Sequence, residues 1–192
     1  MLSRIKERMR GILDPVARPI ARRGIHPNAL TLVGLAVGAA SALLLGLGME
    51  AAGGLLLLVC GVFDILDGSV ARVGGMITAF GGVLDSTIDR LVDFAVLAAA
   101  AYGGLAEAGW IPGWLWCMMA IEGSFMVSYL RARAEAAGAT GMDIGIAERP
   151  ERIIVLGVGA LIGFLRYAIV LVAILTNLTL AQRLTAARRK LR

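Results

Sequence analysis

Long apolar runs separated by short polar turns fill most of the chain. Runs close to the roughly 20 residues that a hydrocarbon layer of about 30 Å requires lie at 29–48, 51–71, 79–102, 110–132, 152–165 and 167–184. The fifth run is shorter than the others and is interrupted by Gly157, Gly159 and Gly163. This pattern predicts an all-α protein, an integral membrane bundle of six transmembrane helices.

The first 20 residues have a different pattern, with apolar positions three or four residues apart and basic residues between them. This spacing is typical of an amphipathic helix that lies in the membrane interface. We therefore predict a single domain over residues 1–192. It consists of an interfacial helix and connector at 1–27, the six-helix bundle at 28–185 and a basic cytoplasmic tail at 186–192.

Composition and charge placement support a membrane protein. Hydrophobic residues make up 58% of the chain, which excludes a disordered chain and an ordinary soluble enzyme. The net charge of +5 is compatible with nucleic acid, anionic lipid or an anionic substrate. If the six spans are correct, 18 of the 19 Lys and Arg residues lie on the side of both termini, and only Arg166 lies opposite. By the positive-inside rule, both termini are cytoplasmic, and membrane lipids rather than nucleic acid are the expected partners.

Four aspartates stand out because ionisable groups inside a membrane are costly and mark functional sites. Asp64 and Asp67 lie three residues apart near the end of the second run, and Asp85 and Asp89 lie four apart near the start of the third. Each pair therefore shares one helix face. If the two helices form an antiparallel hairpin centred near residue 76, all four side chains reach the same depth.

Four carboxylates this close stay ionised in a low-dielectric site only when cations join them. An all-oxygen ligand set without His or Cys favours Mg²⁺ or Mn²⁺. Two alternatives remain open: ion pairs with Arg72 and Arg90 that bind helices together, and an ion or proton transporter that uses the same carboxylates. The ion pairs leave two acids unpaired, and transport sites usually lie near the bilayer midplane.

The aspartates belong to a longer pattern, D-x2-D-G-x2-A-R-x8-G-x3-D-x3-D, which runs from Asp64 to Asp89. It resembles the signature of the CDP-alcohol phosphotransferase family at every fixed position. The resemblance implies a homodimeric membrane enzyme that transfers a lipid phosphate from a CDP-linked lipid to an alcohol and releases CMP. It also implies that Asp64, Asp67 and Asp85 hold Mg²⁺ or Mn²⁺, and that Asp89 ligates the metal and takes the proton of the attacking hydroxyl.

Small residues near the aspartates leave room for a ligand. By the same resemblance, the gap beside Gly68, Ala71 and Gly81 takes the cytidine, and Arg72 pairs with the diphosphate. The segment that opens the first run offers a second contact for the nucleotide lipid, although helix capping explains Asn28 equally well. The expected CDP-lipid site consists of Pro27, Asn28, Thr31, Gly68, Ala71, Arg72, Thr78 and Gly81.

A second group of polar residues, Ser128, Arg131, Arg149 and Arg152, lies where the fourth run ends and the fifth begins. Arginines that converge on a metal site suggest an acceptor with its own phosphate, although positive-inside anchoring accounts for them equally well. These segments look like the family branch that uses inositol 1-phosphate, with glycerol 3-phosphate as the nearest competitor. The following linker resembles archaeal members, which favours CDP-archaeol over CDP-diacylglycerol as donor. A diphosphate hydrolase, in which water replaces the alcohol, is a further alternative.

Three other features lie outside the signature. Asp93 continues the face of Asp85 and Asp89 by one turn, and Glu122 lies inside the fourth run. We expect both to link helices or support the site. Cys60 and Cys117 fall in apolar runs and are expected to be small buried residues rather than a disulfide or metal ligands.

Overall fold

The computed structural model describes residues 14–191. Most of the predicted interfacial helix lies at residues 1–13, outside the described part of the chain. Residues 14–22 are helical, and Ala17 packs against Leu66 and Val70 in a small buried cluster. The end of the N-terminal segment is therefore attached to the bundle beside the aspartate motif.

The described residues form six long helices, and within them the all-α prediction is confirmed. The helices are α1 (Pro27–Gly46), α2 (Glu50–Val73), α3 (Ala79–Tyr102), α4 (Gly113–Ala136), α5 (Arg149–Leu161) and α6 (Leu165–Lys190).

Local side chains define where the helices of the site begin. The His26 side chain accepts a hydrogen bond from the backbone N–H of Asn28, and Pro27 occupies the first turn of α1. The Thr78 side chain caps α3 by accepting from the N–H of Gly81 at 2.9 Å. In the turn between α2 and α3, Gly75 has a φ of 64°, a left-handed conformation that favours glycine.

Three of the helices, α1, α2 and α6, are long and apolar enough to cross a membrane. In contrast, α3 carries four charged residues, Asp85, Asp89, Arg90 and Asp93, and α5 has only 13 residues. A helix of that length is shorter than the roughly 20 residues that a full span needs. The six-span count thus stays a prediction.

Helix packing differs from the simple hairpin that the sequence suggested. Within residues 14–191, α1 packs against both α2 and α3, whereas α2 and α3 are not among the closely packed pairs. The reason is a set of small residues on α1. A Cβ atom on Gly34 would contact Phe63 of α2 at 3.4 Å, and one on Gly38 would lie 2.7 Å from a methyl of Val92 on α3.

The remaining helices complete the bundle, with α4 packed on α6 and α5 on α2. Residues of all six helices build one apolar core, which includes Leu45, Leu57, Val92, Cys117 and Ile169. Cys60 and Cys117 are buried and free, as expected. The ends of α2 and α3 are left open beside the start of α1, and the polar groups gather there.

We predict that Gly38→Ala destabilises the protein by about 1–3 kcal/mol, because the added methyl overpacks the contact with Val92. Thermal unfolding in detergent, followed by circular dichroism, measures the effect. Gly46→Ala is the matched control on the same helix, since its Cβ would meet Ala99 at an ordinary 3.8 Å. Equal losses for the two variants would contradict the prediction.

Candidate active site

Three of the four signature aspartates form a tight cluster. Asp64 of α2 and Asp85 and Asp89 of α3 each place a carboxylate oxygen within 4.8 Å of those of the other two. Asp85 and Asp89 are one helical turn apart and so project from the same face of α3. The helix faces deduced from the spacing thus do bring acids of both helices together.

The fourth aspartate, Asp67, has a different environment. Its side chain is buried, and its Oδ2 accepts a hydrogen bond from the Thr31 hydroxyl at 2.6 Å. The same hydroxyl also donates to the Pro27 carbonyl at 3.1 Å. Asp67 is therefore held against the first turn of α1, and it lines one cavity together with Asp85.

Arg149, at the start of α5, lies among the acids. Its Nη1 is 2.8 Å from Asp64 Oδ1 and 2.7 Å from Asp89 Oδ1, and its Nε is 3.5 Å from Asp93 Oδ1. A second arginine, Arg90, contacts Asp89 from the other side at 3.2 Å. The sequence assigned Arg149 to a substrate phosphate, and it did not reveal that the same guanidinium contacts the acid cluster.

One oxygen of the cluster lacks a hydrogen-bond donor. Asp85 Oδ1 is buried without a hydrogen-bond partner among the described residues, and such a group is costly to bury. A divalent cation satisfies a carboxylate of this kind, and clustered carboxylate oxygens are the ligands that Mg²⁺ and Mn²⁺ prefer. The residues present therefore fit the metal that the sequence predicted.

A cavity of about 300 Å³ opens beside Asp67 and Asp85, between the start of α1 and the connected ends of α2 and α3. All eight residues of the expected CDP-lipid site line it: Pro27, Asn28, Thr31, Gly68, Ala71, Arg72, Thr78 and Gly81. Met76, Ile77 and Gly82 also line this cavity, and the sequence had not indicated them.

The small residues keep this cavity open. A Cβ atom on Gly81 would lie 2.9 Å from the Thr78 hydroxyl and 3.3 Å from Asn28 Oδ1, and one on Gly68 would lie 3.2 Å from Arg72 Nη1. Because His26 caps α1, the side chain of Asn28 lines the cavity instead of capping the helix.

A second cavity, of about 390 Å³, adjoins the acid cluster through Arg149 and Arg90, which line it and contact Asp64 or Asp89. It is lined by all four residues of the expected acceptor site, Ser128, Arg131, Arg149 and Arg152. Sequence reasoning did not assign five further polar residues of the wall to this site: Ser86, Arg90, Glu135, Glu148 and Arg183. Ser86 and Arg90 each follow a signature aspartate directly in the sequence. This adjacency is a signal by which both could have been placed near the site. From the sequence, Arg183 counts only as one of the basic residues on the cytoplasmic side, and nothing in the sequence connects it to this cavity.

Basic side chains that line the second cavity also contact the loop between α4 and α5. Arg183 donates to the carbonyls of Ile144 at 2.7 Å and Val127 at 2.8 Å. Arg131 pairs with Asp143 of this loop at 2.5 Å. The loop and the C-terminal helix therefore shape the arginine-rich cavity together.

Comparisons with known proteins agree with this geometry. A model of the CDP-alcohol phosphatidyltransferase family matches residues 24–187. The archaetidylinositol phosphate synthase of Pyrococcus horikoshii is 39% identical over 191 residues, which cover 100% of this chain and 98% of that protein. The phosphatidylinositol phosphate synthase of Mycobacterium tuberculosis in complex with manganese and citrate has a TM-score of 0.81 at 34% identity, covering 92% of this chain and 88% of that one. Its structure with CDP-DAG bound gives a TM-score of 0.80 at 34% identity, covering 92% and 93%.

We predict that Asp85→Asn weakens Mn²⁺ binding by about tenfold or more, because the substitution removes a charged ligand oxygen that lacks another partner. Titration calorimetry of the purified protein with Mn²⁺ measures this affinity. Glu122 is exposed on α4 and lines neither cavity, so its position differs from the supporting role that the sequence suggested. Glu122→Gln is therefore the matched control and should bind Mn²⁺ as the wild type does. Unchanged affinity in Asp85→Asn would exclude Asp85 as a ligand.

Proposed function

Because the chain belongs to the CDP-alcohol phosphatidyltransferase family, we propose that it transfers the lipid phosphate of CDP-archaeol or CDP-diacylglycerol to inositol 1-phosphate. The products are CMP and archaetidyl- or phosphatidylinositol phosphate, so the reaction is a step of phospholipid biosynthesis. One observation carries this proposal: two cavities adjoin a single acid cluster. Asp85 of the cluster lines the first cavity, and Arg149, which lines the second, contacts Asp64 and Asp89.

The first cavity fits the donor. Small residues leave space for the nucleotide, and Arg72 offers a cation for the diphosphate. Asp67 and Asp85 line the end of the same cavity. A diphosphate bound there lies next to the acids that we propose as metal ligands.

The second cavity fits an acceptor that carries a phosphate. Five arginines line it together with the two acids Glu135 and Glu148, so positive charge predominates: Arg90, Arg131, Arg149, Arg152 and Arg183. Guanidinium groups bind phosphate oxygens through paired, charge-assisted hydrogen bonds. Glycerol 3-phosphate shares this feature, and the names of the relatives favour inositol phosphate.

The mechanism divides between a metal and the side chains of the chain. Mg²⁺ or Mn²⁺ held by Asp64, Asp67, Asp85 and Asp89 would polarise the diphosphate and stabilise the departing CMP. Arg149 and Arg152 hold the acceptor phosphate and so direct one hydroxyl of the inositol ring towards the donor. The carboxylate of Asp89 accepts the hydroxyl proton as the new oxygen–phosphorus bond forms and the bond to CMP breaks.

We place the protein in the cell membrane as a multi-pass homodimer, with both termini and the active site on the cytoplasmic side. The distribution of Lys and Arg between the loops supports this orientation. The dimer follows from the family resemblance. Family membership also favours the transferase over an ion or proton transporter that would use the same acids.

The function is tested with purified protein, Mg²⁺ and a CDP-lipid, to which inositol 1-phosphate, glycerol 3-phosphate and serine are added separately. We expect CMP release and lipid product with inositol 1-phosphate, and much less with the other two acceptors. Equal use of all three would overturn the acceptor assignment. CMP release without any acceptor would instead indicate a hydrolase.

We also expect Gly81→Ala to raise the KM for the CDP-lipid by about tenfold, since its methyl crowds Thr78 and Asn28 in the first cavity. Gly46→Ala is the control, because Gly46 lies at the other end of α1, outside this cavity, and its Cβ would meet Ala99 at an ordinary 3.8 Å. Initial rates at saturating acceptor measure both variants. Similar KM values for the two alanine variants would argue against nucleotide binding at Gly81.

A further inference from the structure

Asp93 lies outside the signature, on α3 one turn beyond Asp89, and it contacts two arginines of the second cavity. Its Oδ2 accepts a hydrogen bond from Arg152 Nη2 at 2.8 Å, and its Oδ1 is 3.5 Å from Arg149 Nε. The side chain is only 11% exposed. Each carboxylate oxygen of Asp93 thus faces a different guanidinium.

Arg152 is fixed from two directions. While Nη2 contacts Asp93, its Nη1 donates to the Ala147 carbonyl at 3.0 Å, and the residue is 4% exposed. Asp93 belongs to α3 and Arg152 to α5, and within residues 14–191 these two helices are not among the closely packed pairs. The ion pair therefore connects the helix that carries the acids to the helix that carries the acceptor arginines.

The contacts of Asp93 also bear on where Arg149 lies. The guanidinium of Arg149 is shared between Asp93 on one side and Asp64 and Asp89 on the other. Without Asp93, the attraction of Asp64 and Asp89 is unopposed and draws Arg149 towards the acid cluster. Arg152 in turn loses a carboxylate partner, and a buried guanidinium without a counter-charge is strongly disfavoured.

We propose that Asp93 is a positioning residue that holds Arg149 and Arg152 in the geometry that binds the acceptor phosphate. The inference rests on the proposed function, and it adds a residue that the family signature does not contain. Asp93 itself lines neither of the two cavities. It acts by ordering two long side chains before the substrate arrives, which reduces the entropy lost on binding.

The test is a comparison of steady-state constants for the full-length enzyme with inositol 1-phosphate and a CDP-lipid. Asp93→Asn should raise the KM for inositol 1-phosphate by about tenfold, the loss expected when two arginine side chains are no longer pre-ordered. The KM for the CDP-lipid should stay close to the wild-type value, whereas the thermal unfolding temperature should fall, because Arg152 loses its buried counter-charge. Titration calorimetry with inositol 1-phosphate alone should show the same loss of affinity without turnover.

Two further variants separate positioning from a general structural role. Asp93→Glu keeps the charge and should recover part of the acceptor affinity. In a double-mutant cycle with Arg152→Ala, adding Asp93→Asn should raise the acceptor KM by much less than it does in the wild type, since Asp93 acts partly through Arg152. Glu122→Gln removes another carboxylate of the bundle and should leave all constants unchanged.

The outcomes distinguish this inference from the function on which it rests. A wild-type enzyme that does not use inositol 1-phosphate overturns the proposed function, and the acceptor it does use then takes its place in the comparison. If the wild type is active and Asp93→Asn keeps its acceptor KM, the positioning role is wrong. Equal losses for donor and acceptor would also overturn it, because a general structural defect affects both substrates. If Asp93→Asn does not fold, an unchanged acceptor KM in Asp93→Glu overturns the inference and an intermediate KM supports it.

Discussion

Negative charges concentrated inside a membrane bundle must be balanced by cations, and this requirement organises the whole site. Asp64, Asp85 and Asp89 place carboxylate oxygens within 4.8 Å of one another. Arg149 contacts two of them, while Asp85 Oδ1 is buried without a hydrogen-bond donor from residues 14–191. A low dielectric strengthens both the repulsion among the acids and their attraction to cations. The cluster is therefore suited to divalent metal and, through it, to the diphosphate of a CDP-linked lipid.

The shape of the donor cavity follows from how α1 packs. Gly34 and Gly38 allow α1 to approach α2 and α3 at the same time. This arrangement leaves the connected ends of α2 and α3 open beside the first turn of α1. Thr31 reaches from α1 to Asp67, so the helix that separates the other two also fixes one of the signature acids. Stability of the bundle and access for the nucleotide thus depend on the same small residues.

The arginine-rich cavity is coupled to the acids through shared side chains. Arg149 contacts the cluster and lines this cavity, and Asp93 pairs with both Arg149 and Arg152. Charges on α3 and α5 consequently hold together two helices that otherwise make few contacts. A transferase must hold its two substrates next to one reactive centre. These ion pairs connect arginines of the second cavity to the acid cluster and so fix their relative positions.

Much of the fold and of the candidate site could be predicted from local patterns in the sequence. Apolar runs of membrane-spanning length predicted the helices, and three- and four-residue spacings predicted which aspartates share a face, because helical geometry repeats along the chain. All eight residues that the motif and the family resemblance selected for the nucleotide lipid line the first cavity. The pairing of Arg149 with Asp64 and Asp89, the hold of Thr31 on Asp67 and the place of Arg183 came only from the folded chain. These contacts join residues tens of positions apart, and helix packing rather than any spacing in the sequence decides which distant side chains meet.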